Sequence, residues 1–267
     1  RDTDTQTVII NNGMTAYFEA STVCEGVATS FTSSQGLSSP NANAWLWDFG
    51  DGIGTSNIQD PTYTYNAAGD YHVTLTLSDN NYIDSTHCMD TVSFWVHVYE
   101  LPIPNFTTDT ACFGDSTHFT SLSTIGEINS TLISWWWYFD NDTLIDATSI
   151  NSNYLFDSCG LNFHDIILRV EDDNGCYNYD TNSITVACLP TATFTIDTAC
   201  IGHPTIFTST SNNGTFPITS YQWINSQGTY QPINNSTLDY ATYIFDNVGP
   251  QNPTTLIVSD PLGCSDD

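Results

Sequence analysis

The 267-residue chain has no lysine and two arginines, Arg1 and Arg169, against 30 acidic residues, for a formal net charge of −28. That balance excludes nucleic acid and anionic membrane surfaces as partners, because their phosphates are held by clustered cations. It fits a mutually repelling surface, or one that recruits cations. Without lysine, no Lys–Asn isopeptide crosslink can form. No apolar run approaches the ~20 residues of a membrane-crossing helix; the longest, "LISWWWYF" at 132–139, has the length of a strand, so no membrane insertion is expected. No secretory signal stands at the N-terminus, so a secreted protein is expected here in mature form. Apolar positions never recur with a helical period over two turns. Catalytic signatures are also missing: no HExxH pair, no Gly-rich phosphate loop and no GxSxG elbow, and the six histidines are scattered.

What the chain does contain is material for packed strands: 40% apolar residues, 13% aromatics and eight cysteines. In "WLWDFGDG", Trp45, Trp47 and Phe49 recur with period 2, which puts the three rings on one face of a strand. Gly50 and Gly52 then supply backbone freedom around Asp51, as a tight turn requires. Asp48 and Asp51, three apart, could act as an acid–base pair or as calcium ligands, but the third repeat lacks both and keeps its strands, which favours a turn role.

Six cysteines announce an internal repeat. Cys24 and Cys88, Cys112 and Cys176, and Cys200 and Cys264 are each 64 residues apart, and successive pairs are 88 apart. "FTTDTACFGDSTHFTS" at 106–121 matches "FTIDTACIGHPTIFTS" at 194–209 and, more loosely, "FEASTVCEGVATSFTS" at 18–33. Each repeat reads as about seven short strands with turns between them, the pattern of an immunoglobulin-like β-sandwich. The expected fold is therefore all-β, with three tandem sandwiches: residues 14–101, 102–189 and 190–267, preceded by an orphan last strand within 1–13. With the first cysteine at the start of the second strand and the second in the last turn, both are expected at one end of the sandwich. The expected bridges are Cys24–Cys88, Cys112–Cys176 and Cys200–Cys264, each closing a loop worth about 2–4 kcal/mol. Cys159 and Cys188 flank antiparallel neighbouring strands and are expected to form a fourth. A metal site is the alternative use of the cysteines, but no CxxC pair exists. Disulfides imply an oxidising, extracellular setting, either cell-surface or secreted.

"WDFGDG" at 47–52 followed by "YTYNAAGDYHVTLTLSD" at 63–79 resembles the signature of PKD domains, named for polycystic kidney disease. The second repeat keeps "WWYFDND" at 136–142 and "VEDDNGC" at 170–176; the third, with "YQWINSQG" at 221–228, lacks both aspartates. Cysteine-bearing tandem arrays of this style are similar to those in large secreted surface proteins of gliding, Bacteroidetes-type bacteria. The resemblance implies spacers, adhesive stalks or carbohydrate-facing modules, and no catalysis. It also implies O-glycan attachment at Asp-Ser/Thr followed by a small apolar residue or Thr, a pattern met at Ser85, Thr91, Thr110, Ser116, Thr143 and Thr198. No cofactor is expected beyond Ca²⁺, for which Asp172 and Asp173 are the candidates, with Asp79 and Asp260 at comparable strand ends. Tyr82, Tyr99, Tyr177 and Tyr230 are the candidate exposed rings of a glycan-binding array.

The ends of the chain are complementary. "DTQTVII", comprising Asp4, Thr5, Gln6, Thr7, Val8, Ile9 and Ile10, matches "DTNSITV" at 180–186, a seventh strand. The third repeat is expected to stop at "GCSDD", 263–267, before its own seventh strand. The edge of its sixth strand, Thr254, Thr255, Leu256, Ile257 and Val258, is therefore expected to accept residues 4–10 of a neighbour, by strand complementation or by continuation of the array. The expected partners are copies of the same chain, head to tail, in a surface filament or stalk. An adhesin or carbohydrate-binding array, or an accessory spacer of a secreted hydrolase, are the alternatives.

Overall fold

The computed structural model describes residues 14–36, 42–79, 89–139, 144–225, 239–249 and 254–267, and every regular element among them is a strand. The first repeat contributes β1 (Ala16–Ala20), β2 (Val23–Cys24), β3 (Ala28–Gln35), β4 (Ala44–Asp48), β5 (Thr55–Ser56), β6 (Thr62–Thr64), β7 (Gly69–Ser78) and β8 (Met89–Tyr99). The second contributes β9 (Phe106–Thr108), β10 (Thr117–Ser121), β11 (Leu132–Tyr138), β12 (Asn151–Tyr154), β13 (Phe163–Asp172) and β14 (Tyr177–Thr185). The third contributes β15 (Phe194–Ile196), β16 (Pro204–Ser209), β17 (Ser220–Asn225), β18 (Tyr240–Ile244), β19 (Thr254–Ser259) and β20 (Ser265–Asp266). The sheet orders repeat: β1-β3-β6 with β2-β8-β7-β4-β5, then β12-β10-β9 with β11-β13-β14, then β15-β16-β18 with β17-β19-β20. The fold is tandem immunoglobulin-like sandwiches.

The alternating pattern that makes these strands also packs them. In β7, Val73, Leu75 and Leu77 are fully buried. The intervening Thr74 and Thr76 meet Ser93 and Thr91 of β8 through hydroxyl pairs at 2.9 Å. Each repeat centres on the same wedge of rings. Phe18, Phe106 and Phe194 stand edge-on to Trp47, Trp137 and Trp223, with centroids 5.2, 5.3 and 5.2 Å apart, an arrangement that ring quadrupoles favour. Phe31, Phe119 and Phe207 close the wedge from the facing sheet. Trp47 and Trp137 are wholly buried and donate Nε1–H to the carbonyls of Ile58 and Ser149, both at 2.9 Å.

The turn after β4 resolves the Gly-Asp-Gly stretch. Asp48 accepts the N–H of Gly50, and one oxygen of Asp51 accepts those of Ile53 and Gly54. Tyr63 donates its hydroxyl to the other oxygen of Asp51. Partial desolvation raises the Asp51 pKa, but the Tyr63 and backbone donors outweigh it and hold the group below the ordinary value. The bond to Asp51 and desolvation push the Tyr63 hydroxyl up to about 12. Gly50 must be glycine: its φ is +79°, and a Cβ there would stand 2.6 Å from the His72 carbonyl oxygen.

The chain divides into two compact units. One holds the residues up to Ile103 with Thr124–Ile133 and Glu171–Asn178; the other holds Pro104–Ser123, Ser134–Val170 and Tyr179–Asp267. Two segments of the second repeat therefore pack with the first.

Candidate functional site

The first cysteine of each repeat sits on the same turn. In β2, Cys24 has left the sheet of β1 and β3 and runs parallel to the far end of β8, opposite Tyr99. Two residues on, Gly26, Gly114 and Gly202 have φ of +76°, +89° and +73°, a conformation that needs glycine. The turn closes through Val27 N–H to Cys24 O, Asp115 N–H to Cys112 O and His203 N–H to Cys200 O, at 3.1, 3.2 and 3.1 Å. It is docked on the core by Gly26 N–H to Tyr65 O and Gly202 N–H to Phe245 O.

The second cysteine is presented by an aspartate-locked turn. Asp172 Oδ1 accepts the N–H groups of Asn174 and Cys176 at 3.0 and 2.9 Å, and Gly175 takes φ +80°. Asp260 does the same for Leu262 and Cys264 at 2.9 and 3.0 Å, with Gly263 at φ +91°. Both aspartates are buried, and their second oxygens have no hydrogen-bond partner among the described residues. Asp173 accepts both the N–H and the hydroxyl of Thr131, which hold its pKa below the ordinary value. Asp172 Oδ1 and both oxygens of Asp173 thus accept turn and cross-strand bonds. Among the described residues no group of three or more His, Cys, Asp or Glu is gathered to hold a metal ion.

The bridges correct the pairing expected within repeats. Cys24 is bonded to Cys176 and Cys112 to Cys264, each with Cα atoms 5.6 Å apart and 152 residues between them. Cys200 is unbonded and exposed. Cys159–Cys188 is present, with Cα atoms 5.0 Å apart. The reason is geometric. Cys24 lies beside Tyr99, the last residue of β8, and Met89, the first, stands at the other end of an eleven-residue strand, which spans roughly 34 Å. In the third repeat, Cys200 lies by Thr254 at the start of β19 and Cys264 follows the other end. A bridge needs Cα atoms within about 7 Å, and Cys24 and Cys112 reach forward to the next repeat instead.

Glycines reinforce these junctions. A Cβ on Gly126 would stand 2.0 Å from the Leu101 carbonyl oxygen, and one on Gly214 would stand 1.9 Å from that of Cys188. Beside them, Glu127 accepts the N–H of Glu100 and Thr215 that of Cys188. The sequence reading missed this clasp, although its members recur 88 residues apart.

In the third sandwich the last strand, β20, comprises Ser265 and Asp266. Only Ser265 and Asp266 of its last strand pair with β19, opposite Ser259 and Val258. In the first repeat β8 pairs with β7 along ten residues. Phe194, Ile196, Cys200, Ile201, Phe245 and Val248 line an apolar cavity of about 560 Å³ there. The donor segment expected for the edge of β19, residues 4–10, lies outside the described residues, as do Cys88, Ser85, Thr143, Tyr82 and Tyr230. Thr91, Thr110, Ser116 and Thr198 are exposed. Tyr177 is exposed and Tyr99 half-buried.

Comparison with known proteins agrees with this architecture. The sequence pattern of the PKD domain matches residues 14–94. The pre-pro-metalloprotease PrtV of Vibrio cholerae is 40% identical over 63 residues, 24% of this chain; the chain spans 7% of that relative's length. Among solved structures, three N-terminal domains of the bacteriophage RB49 Hoc capsid protein align over 94% of this chain and 84% of theirs, at 13% identity and a TM-score of 0.38. The mouse nectin-like molecule 4 ectodomain aligns over 95% and 91%, at 12% identity and a TM-score of 0.29. Such structural likenesses go no further than the fold.

Proposed function

Given a first repeat that is a PKD domain, we propose that the chain is a non-enzymatic, extracellular structural protein. It serves as the repeating unit of a surface filament or stalk, assembled head to tail. The observation that carries this reading is the pair of bridges Cys24–Cys176 and Cys112–Cys264, which tie one repeat to the next. A sheet edge can be completed by a strand from a neighbouring copy, and a head-to-tail contact that does not close produces a filament. Residues 4–10 have the sequence of such a strand. Forward-reaching bridges at Cys24 and Cys112 suit a protein that bears tension between repeats. Exposed Thr91, Thr110, Ser116 and Thr198 are the O-glycan acceptors in this reading. The charge of −28 is screened by cations gathered along the surface rather than at a dedicated calcium site.

The test is electron microscopy of the purified chain beside a form lacking residues 1–10. Filaments are expected from the first and only single particles or amorphous aggregates from the second. Filaments from the shortened chain would overturn strand complementation.

One observation favours a second reading, a glycan-binding module. Trp95 is 69% exposed on β8, with its ring 4.9 Å from that of His72, and a flat exposed indole is a natural platform for a sugar face. Glycan-array binding that is lost in Trp95→Ala would support it.

A further inference from the structure

Sandwiches strung on a single chain stand in series under tension: each feels the whole pull, and any one that unfolds releases its full length. The bridges wire this chain differently. Cys24 is joined to Cys176 and Cys112 to Cys264, so the two bridged loops overlap. They define two covalent nodes, and three stretches connect one node to the other: residues 24–112, 112–176 and 176–264. The first stretch carries β3 to β9, the second β10 to β13 and the third β14 to β19; β1 and β20 lie outside the nodes. A pull applied before Cys24 and after Cys264 therefore enters at one node and leaves at the other. The three repeats share it in parallel.

Reach is limited as well. From Cys176 the chain runs 12 residues to Cys188, crosses the third bridge to Cys159, and returns 47 residues to Cys112. That path is 59 residues, against 240 along the chain from Cys24 to Cys264. At about 3.3–3.6 Å per residue, the bridged path straightens to roughly 200 Å and the unbridged one to roughly 800 Å. The folded first repeat is stricter still. Cys24 stands in register with Tyr99, and 13 residues separate Tyr99 from Cys112. While that sandwich stands, the nodes are held within roughly 50 Å of each other.

We infer that the three bridges make this chain a load-sharing tether of limited reach, in which tension draws out no repeat until all three give way. The inference rests on the stalk reading above for its use and on the bridges alone for its mechanics. It extends that reading from assembly to what the stalk does under a pull: the first sandwich shields the second, and an unfolded repeat adds no length while its neighbours stand.

The experiment is single-molecule stretching of the whole chain, gripped at its two ends, after unpaired thiols have been alkylated. The oxidised protein is expected to give one main release and to become taut near roughly 300 Å. After reduction, three separate releases and a taut length near roughly 900 Å are expected, a threefold change. The double variant Cys24→Ser, Cys176→Ser sharpens the test. Its shortest path from Cys24 to Cys264 is the 88 residues to Cys112, so it should become taut about 100 Å later than the parent. Its first repeat, now alone in series, should unfold separately and at lower force. Three releases from the oxidised parent, or a taut length that reduction leaves unchanged, would overturn the tether. So would a variant that stretches as the parent does. None of these readouts needs filaments, so failure here leaves head-to-tail assembly standing, and loss of filaments on deleting residues 1–10 leaves the tether standing.

Discussion

The first and third sandwiches share a ring wedge and differ in closure. Around Phe18 and Trp47 the first is sealed: Phe94 of β8 stands edge-on to Phe18 at 5.2 Å, Val96 and Val98 are buried, and Tyr65 is 1% exposed with its hydroxyl on Phe49 O. In the third, Phe194 and Phe245, the counterparts of Phe18 and Tyr65, are half-exposed, and β20 has two residues where β8 has eleven. The residues that make the core are thus equivalent, and in the first repeat β8 covers them. Hydrophobic stabilisation scales with apolar area removed from water, so that cover contributes to the first core.

The largest test of that difference replaces the central tryptophan. Trp47→Ala should cost about 3–5 kcal/mol, as removal of a fully packed large ring does. Trp223→Ala should cost about 1 kcal/mol less, because Trp223 keeps 7% of its surface exposed whereas Trp47 keeps none. Denaturant unfolding read by region-resolved hydrogen exchange separates the two repeats. Equal losses would mean that this exposure does not weaken the third core.

A second test asks whether the sealed sandwich depends on its clasp to the next repeat. The double variant Cys24→Ser, Cys176→Ser removes one forward bridge without leaving a lone thiol. A cost of about 2–4 kcal/mol is expected, mostly through the unfolded chain. Faster amide exchange should be confined to 124–133 and 171–178, with the strands of the first core unchanged. Exchange spreading through Val73, Leu75 and Leu77 would show that the bridge holds the sandwich as well as its neighbour.

The same contrast marks what the sequence made legible. Strands with a burial period, such as β7 and the Trp strands, could be read directly, as could the Cys159–Cys188 bridge. The Gly-Asp-Gly turn read correctly because Asp48 and Asp51 bond their own backbone, a local matter. The forward bridges did not read, because β2 is two residues long and a two-residue strand has no periodicity. Its crossing to the sheet of β8 moves Cys24 to the end of the sandwich opposite the last turn, and no local pattern records that crossing. Gly126 and Gly214 were invisible for a related reason: each meets a linker backbone distant in sequence, and only their 88-residue spacing hinted at a shared role.

The smallest expected effect concerns how the first unit holds the segment around Glu127. His97 Nδ1 lies 2.7 Å from Asp70, and Nε2 lies 3.4 Å from Glu127. The bond to Asp70 raises the His97 pKa above its ordinary value; partial desolvation opposes this, and the charge of Glu127 adds to it. A raised folded value means that the protonated ring stabilises the fold fully below the unfolded pKa of about 6.5. That contribution is lost as pH rises through the folded value. The group is partly exposed, so the pair is worth about 0.2–1 kcal/mol. The imidazole resonance of His97 should titrate above 6.5 by NMR, and Asp70→Asn should bring the midpoint down. The second repeat has Thr185 at the strand position matching His97, so amide protection around Thr215, corrected for intrinsic exchange, should be flat over the pH range in which protection around Glu127 falls. A His97 midpoint at or below 6.5 would remove the ion pair from the account of this junction and leave it to the Gly126 contact and the Cys24–Cys176 bridge.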